Sequence, residues 1–379
     1  MLNADSYFKK ENFVIIGIVG LPNCGKTTLF NAITRGNAEV ASYAQTMAEP
    51  NVGIAFVPDK RIDRLCEIFK PQKTTYASVK YIDMPGIPKG SLSEGTKITE
   101  FLAKAREVDA LVHVVRVFED ASVQNPAGSI DPLRDAKDLE LEFILSDLSI
   151  IEKRLERIEA DLKKGIERQK REIEKQVLTN FKDILEKEKP LRNIIIKPED
   201  EKLIRGYQFL TLKPMVIVLN IHENHINSPE TDKLVAFMKE NFPGEKEGIE
   251  AVCAKAEMEI SQLSPDESQV FMDELGIRES AMNKLINACY QILGLISFLT
   301  VGEDEVRAWT IKRGFNACNA GGAIHSDIER GFIKAEVISY DDFIEAGSLA
   351  NAKSKGTFRL EGRNYVVLDG DIINFKFNV

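Results

Sequence analysis

Apolar residues in this chain come in short runs separated by helical patches. Phe13–Val19 is an apolar run ending at Gly20, and past the next loop Leu29, Phe30 and Ile33 recur with a helical period, so a strand–loop–helix unit opens the pattern. Further strand-length runs stand at Val52–Val57, Val79–Ile82 and Ala110–Phe118, with helical stretches at Arg61–Phe69 and Ile98–Val108 between them. Such alternation builds a parallel sheet wrapped by helices. Pro214–Leu219 and Ile249–Cys253 read as two more strands of that sheet, but they lie far downstream. Something is inserted before them.

The insert has its own period. Ile144, Leu148, Ile151, Leu155, Ile158 and Leu162 step by four and three, a heptad seam with charges on the other positions. The pattern weakens at Gly165 and recovers at Ile173, Val177, Phe181 and Ile184 before Pro190, which predicts a two-helix antiparallel hairpin. Near its tip lies a basic tract, Lys163–Lys175, in an otherwise acidic chain. The alternative is that both helices pack on the core and the tract is a solvated turn.

After helices near Asp266–Leu275 and Glu279–Ile292, short β-type runs take over at Ala308–Ile311, Phe332–Val337, Tyr365–Leu368 and Ile372–Phe377, punctuated by Gly302, Gly314, Gly321, Gly322 and Gly370. They predict a small α+β domain. The expected layout is a nucleotide-binding domain over 1–138, a helical insert over 139–204, the rest of the nucleotide-binding domain over 205–298, and the small domain over 299–379.

Composition narrows the class. The 379 residues exceed one ordinary core, and 44% hydrophobic content supports several packed ones. No apolar run approaches the ~20 residues of a membrane span. The start, Met1–Asn12, is polar and carries no export-signal pattern, so a cytoplasmic location is expected. Cys24, Cys66, Cys253, Cys289 and Cys318 are scattered, without a C-x-x-C pair, and read as reduced thiols. A net charge of −9 argues against a protein that coats nucleic acid, and no sequence-specific DNA partner is expected; a local basic patch could still bind RNA.

Chemistry enters at Gly20-Leu-Pro-Asn-Cys-Gly25-Lys26-Thr27, which fits G-x-x-x-x-G-K-[ST] in the required place, after a strand and before a helix. The glycines let backbone N–H groups turn toward phosphates, and the helix adds its positive N-terminal end. Lys26 is expected at the β- and γ-phosphates, Thr27 as an Mg²⁺ ligand, and Thr28 at the α-phosphate. Asp83-Met84-Pro85-Gly86 follows Val79–Ile82, at the end of a neighbouring strand, where an acidic group holding the metal through water belongs, with the Gly86 N–H as γ-phosphate sensor.

The strings Gly-Leu-Pro-Asn-x-Gly-Lys-Thr-Thr-Leu-Phe-Asn-Ala, Glu49-Pro50-Asn51-Val52-Gly53, Arg106-Glu107-Val108-Asp109-Ala110 and His113-Val114-Val115-Arg116 resemble the Obg-like ATPase family of the YchF type. Leu210-Thr211-Leu212-Lys213-Pro214, Val306-Arg307-Ala308-Trp309-Thr310 and the run Asn374–Val379 extend the likeness over essentially the whole chain. The resemblance implies a Ras-like nucleotide domain, an inserted coiled-coil hairpin, a C-terminal TGS domain of β-grasp type, ribosome association and a role in translation or stress response. Two departures stand out. Met47 occupies the place of the family's Mg²⁺-binding threonine, with Thr46 as the substitute ligand, and the glycine-rich second switch is thinned over Lys89–Thr96.

Other positions refine the expectation. Ile87 stands where Ras-like GTPases place the glutamine that orients water, so slow intrinsic turnover is expected. Asn23 resembles the P-loop asparagine that ligates K⁺ in potassium-activated NTPases; the alternative is a loop-stabilising side chain. Cys24, beside Lys26 and phosphate-facing amides, is expected to have a lowered thiol pKa, or else merely to fill the loop. Asn220-Ile221-His222-Glu223 replaces the guanine-reading Asn-Lys-x-Asp, with Ile221 lining the base and a backbone carbonyl or Asn220 able to meet the adenine 6-amino group, so ATP is favoured over GTP. Cys253-Ala254-Lys255 resembles the Ser-Ala-Lys loop that closes over the base. The reading is a P-loop ATPase acting on the ribosome or ribosomal RNA; an Obg-type GTPase and a nucleotide-gated adaptor with negligible hydrolysis are the alternatives.

Overall fold

The computed structural model describes residues 14–35, 51–86, 96–125 and 128–378. Thr46, Met47, Ile87 and residues 89–95 lie outside the described residues. In chain order come β1 (Ile15–Val19), α1 (Lys26–Arg35), β2 (Val52–Phe56), α2 (Lys60–Phe69), β3 (Lys73–Thr75), β4 (Ser78–Asp83), α3 (Thr96–Glu107) and β5 (Ala110–Arg116). Then follow α4 (Pro132–Lys163), α5 (Arg168–Leu185), α6 (Pro198–Ile204), β6 (Met215–Asn220), α7 (Pro229–Asn241), β7 (Glu247–Val252), α8 (Ala254–Ile260), α9 (Pro265–Glu274) and α10 (Ala281–Ile292). The last elements are β8 (Leu295–Thr300), β9 (Glu305–Lys312), α11 (Ala317–Ile324), α12 (Ser326–Arg330), β10 (Phe332–Ser339), α13 (Tyr340–Ala346), α14 (Leu349–Lys355), β11 (Arg359–Glu361) and β12 (Asp371–Phe377). They fall into two compact units, Met1–Ile54 with Lys80–Leu285, and Ala55–Val79 with Ile286–Val379.

The first sheet runs β2-β4-β1-β5-β6-β7, and from β4 to β7 every pairing is parallel. The strand β5 is buried at every position, as a central strand covered on both faces must be. Val19, Leu111, Val115 and Ile217 of the sheet pack against Phe101 and Ala105 of α3, Phe143 of α4 and Met238 of α7. The register pairs Ile18 with Asp83, Val19 with His113, and Asn220 with both Arg116 and Val252. These residues therefore share the carboxyl edge of the sheet, where open α/β sheets bind ligands.

The helix α4 begins earlier than the heptad seam, because Asp131 caps it by accepting from Arg134 N at 3.0 Å and Pro132 opens it. Its Ile144, Ile151 and Ile158 are buried with Leu178, Phe181 and Leu185 of α5. Ion pairs Glu152–Lys182, Arg154–Glu174 and Glu159–Lys175, at 2.9, 2.8 and 3.0 Å, show that the two helices run antiparallel. Ile173, expected in the seam, is instead 46% exposed, and Glu174 takes the inward place. Burial raises the Glu174 carboxyl, but hydrogen bonds from Arg154, Tyr207 and Arg171 more than offset it and hold it at about 2. Arg171 is thereby locked between Glu174 and Asp161, while Lys163 and Lys164 stay exposed.

Two buried polar knots tie α4 to its surroundings, one of them to the sheet. Asp147 accepts from Arg106 Nη1 of α3 at 2.8 Å and from the Thr211 N and Oγ1 at 2.9 and 2.8 Å. Arg192, fully buried, forks onto Glu140 of α4 at 2.6 and 2.9 Å and reaches Glu247 of β7 at 2.9 Å. Removing one partner of such a pair strands a buried charge, at a cost of about 3–5 kcal/mol.

The second unit is built on a sheet ordered β11-β10-β12-β8-β9-β3. Its β3 comes from the stretch between β2 and β4 and pairs in parallel with β9, where Thr75 Oγ1 donates to Glu305 at 2.7 Å. Tyr365–Leu368, expected as a strand, contributes only an isolated bridge between Asn316 and Val366. The reading from sequence also missed α11, because Gly321 and Gly322 looked like turn residues. They sit inside the helix, and a Cβ at Gly321 would stand 2.7 Å from Ile328 Cγ2 of α12. Trp309 packs on the core of this unit and donates Nε1–H to Thr300 Oγ1 at 3.0 Å.

Candidate nucleotide site

The loop after β1 has the backbone its glycines allow. Gly20 and Gly25 have φ of +152° and +97°, and a Cβ on Gly25 would collide with the Asn220 side chain. Asn23, with φ of +62°, occupies the left-handed region that asparagine tolerates. Lys26 opens α1; it is buried, and its Nζ donates to the Leu21 carbonyl at 2.8 Å. Thr28 follows, half-buried, in the first turn. Gly86 lies against the loop so closely that a Cβ there would be 3.0 Å from both Lys26 Nζ and Pro22 Cα.

Thr27 Oγ1 donates to Asp83 Oδ2 at 2.8 Å, and Asp83 Oδ1 is buried with no hydrogen-bond partner among the described residues. A buried carboxylate oxygen left unsatisfied beside an exposed hydroxyl is the donor set an oxygen-seeking divalent cation takes, so these residues fit Mg²⁺. Mg²⁺, when bound there, would neutralise phosphate charge.

At the base end, Asn220 is buried and doubly engaged: Nδ2 donates to the Cys24 carbonyl at 2.9 Å and Oδ1 accepts from Ala254 N at 3.1 Å. This corrects the expectation that its amide meets the base, since it clamps the P-loop to the start of α8. Ile221 likewise does not line an open surface; it is buried with Cys253 and Ala256. Glu223 and Lys255 are exposed and pair at 3.7 Å. At Cys24 the loop-filling alternative is favoured. Burial raises its thiol pKa and outweighs the lowering by nearby Lys26, so it is not an activated thiolate.

Of three further groups, the sequence reading gave Arg116 no role. His113 is fully buried with neither ring nitrogen hydrogen-bonded among the described residues, and burial, aided by the Lys26 and Arg192 charges, lowers its pKa to about 3. Arg116 is buried beneath the loop after β5, and its guanidinium lies 4.5 Å from the centre of the Phe118 ring. The available signal was a basic residue closing an otherwise apolar central strand. Asn23 Nδ2 donates to the carbonyl of Gln124 in that loop at 3.1 Å.

Comparison with known proteins accords with this geometry. A family model described as 50S ribosome-binding GTPase matches residues 15–149, and YchF-GTPase_C, described as a protein of unknown function (DUF933), matches 295–378. The chain is 44% identical over 364 residues to the ribosome-binding ATPase YchF of Bacillus subtilis, spanning 96% of this chain and 99% of that one. To the protein of the same name from Mycoplasma genitalium it is 41% identical over 372 residues, again 96% and 99% of the two chains. The solved structure of the Schizosaccharomyces pombe YchF GTPase superposes with a TM-score of 0.84 at 30% identity, covering 96% of this chain and 97% of that one. A likeness this long, in sequence and in fold, means that the chain belongs to the YchF family of P-loop nucleoside triphosphatases.

Proposed function

We propose that this protein binds and slowly hydrolyses Mg-ATP at the Gly20–Thr28 loop and uses the nucleotide to control an action on the ribosome, in the cytoplasm. The observation that carries the chemistry is the Thr27–Asp83 hydrogen bond with its unsatisfied second carboxylate oxygen. Thr27 and Asp83 would hold the metal, with Thr46 as a further ligand. Lys26 would leave the Leu21 carbonyl for the β- and γ-phosphates, and the Gly86 N–H would report the γ-phosphate. The hydrophobic Ile87 leaves attacking water unoriented, so intrinsic turnover is slow. Asn23 is the candidate K⁺ ligand; its bond to Gln124 supports the loop-stabilising alternative equally.

Ribosome binding rests on the names of the Bacillus and Mycoplasma relatives. The helical insert, 139–204, and a C-terminal TGS domain of β-grasp type, 299–379, are the modules that would reach it. Preference for ATP rests on Glu223, which stands where guanine-specific sites place aspartate and is drawn to Lys255, and on Ile221 in place of lysine. A site that has lost the guanine-reading edge discriminates only mildly, so an ATP preference of about 10-fold is expected. The test is equilibrium titration with both nucleotides, alongside ribosome co-sedimentation with ATP, GTP and a non-hydrolysable ATP analogue. Tighter binding of GTP would favour the GTPase reading, the activity named for the Schizosaccharomyces pombe relative. Co-sedimentation independent of nucleotide would remove the switch.

A further inference from the structure

We propose that Arg116 is a positioning residue for the nucleotide, holding residues 118–125 as a fixed wall of the site that is docked on the P-loop through Asn23. The inference rests on the P-loop reading of Gly20–Thr28. Arg116 closes β5 at the carboxyl edge of the sheet, and besides lying over the Phe118 ring its guanidinium donates, among the described residues, to backbone carbonyls: Nε to Phe118 O at 3.1 Å, Nη1 to Val123 O at 3.1 Å and Gln124 O at 3.3 Å, and Nη2 to Asp120 O at 3.4 Å and Val123 O at 3.1 Å. No carboxylate lies within ion-pair distance of it among the described residues. Burying a cation against carbonyl dipoles is costly, and an apolar side chain would fill the space more cheaply. What the guanidinium adds is shape: a rigid fork of donors that gathers one irregular segment into one conformation.

That segment is docked on the P-loop. At one end the Gln124 carbonyl, held by Arg116, also accepts from Asn23 Nδ2 of the P-loop at 3.1 Å. At the other end Asp120, whose carbonyl accepts from Arg116, is locked in a turn by Ser122 N at 2.8 Å. The catalytic groups Lys26 and Asp83 make no contact with Arg116 among the described residues. Loss of Arg116 should therefore loosen nucleotide binding and leave the chemical step alone.

The test compares Arg116→Ala, Arg116→Lys, Asn23→Gly and the Arg116→Ala/Asn23→Gly double variant of the full chain; glycine keeps the left-handed backbone at position 23. Arg116→Ala should raise the ATP dissociation constant and KM about 10-fold while kcat stays within about 2-fold. Asn23→Gly should raise KM about 3-fold, and the double variant should match Arg116→Ala, because Asn23 has nothing ordered to hold once the segment is free. Arg116→Lys, a point charge without the fork, should recover little. In nucleotide-free protein, amides of 119–125 should exchange hydrogen faster in both single variants. Unchanged affinity or exchange in Arg116→Ala, additive effects in the double variant, or a fall in kcat at constant KM would each overturn the proposal. Should Arg116→Ala not fold, Asn23→Gly decides alone: unaltered exchange of 119–125 with unaltered affinity overturns it. Lys26→Ala serves as the control; if it still binds ATP, the P-loop reading has failed, which is a separate outcome.

Discussion

Thr27 Oγ1 and Asp83 Oδ2 lie 2.8 Å apart although 56 residues separate them, because β1 and β4 are neighbours and both end at the same edge of the sheet. The other Asp83 oxygen is buried and unsatisfied among the described residues, which marks the side from which a cation would approach. Asp83→Asn keeps the shape and the bond from Thr27 but removes the charge. It should raise the Mg²⁺ concentration for half-maximal ATPase activity by at least about 10-fold, with little change in melting temperature. A Mg²⁺ dependence equal to that of the parent would exclude Asp83 from the metal site.

Lys26→Ala should abolish nucleotide binding without unfolding the chain. The lysine is buried beside the loop, yet its Nζ donates to the Leu21 carbonyl at 2.8 Å and only distantly to Cys24 Sγ at 3.9 Å, so its removal costs about 1 kcal/mol of stability. Isothermal titration with ATP, paired with a thermal melt, checks both halves. Retained binding at parental affinity would sink the phosphate role.

At the tip of the helix pair, Lys163 and Lys164 are exposed, whereas Arg171 is engaged by Asp161 and Glu174. Changing Lys163, Lys164 and Lys170 to Gln should weaken ribosome co-sedimentation and flatten its dependence on salt, by roughly 1 unit of log–log slope for each phosphate no longer neutralised. ATP affinity should be unaffected. Arg171→Gln, by comparison, should lower the melting temperature, since it removes one of the partners that keep Glu174 ionised. An unchanged salt slope in the triple variant would return the tract to a solvated turn.

His113 makes stability depend on pH. Its folded pKa of about 3 lies below the ordinary 6.5, so below pH 6.5 the unfolded chain takes up a proton that the folded chain refuses. The stability is complete above pH 6.5 and is lost as pH falls toward 3, at roughly 1.4 kcal/mol per pH unit. Denaturant unfolding between pH 6.5 and 5, where most carboxylates remain ionised, should show a loss of about 2 kcal/mol in the parent that is absent in His113→Phe. Equal slopes for the two proteins would show that the imidazole takes up its proton alike in the folded and unfolded states.

Local features were legible along the chain. The P-loop is a contiguous string whose glycines dictate backbone angles, and its placement after Phe13–Val19 follows from periodicity. The seam Ile144–Ile151–Ile158 names its own buried face, because helical geometry brings those positions together whatever else surrounds them. That Asp83 ends a strand beside β1 was also expected, since such a sheet brings the end of Val79–Ile82 to the edge where the P-loop begins.

Tertiary structure alone decided which groups are engaged and which are free. Ile173 and Glu174 exchange the roles that hydrophobicity would assign them, because Arg154, Arg171 and Tyr207 converge on the carboxylate from three separate segments. Asn220 became a clamp and Ile221 a packed side chain through contacts with Cys24, Ala254 and Cys253, none of them near in sequence. The strand β3 joined β9 across 230 positions, as the Thr75–Glu305 bond records. Arg116 gathers the carbonyls of a loop that has no sequence signature, since backbone acceptors look alike at every residue. Periodicity and motif spacing are properties of neighbours along the chain; burial and the pairing of polar groups belong to the whole fold, and they set which of these side chains a ligand can still reach.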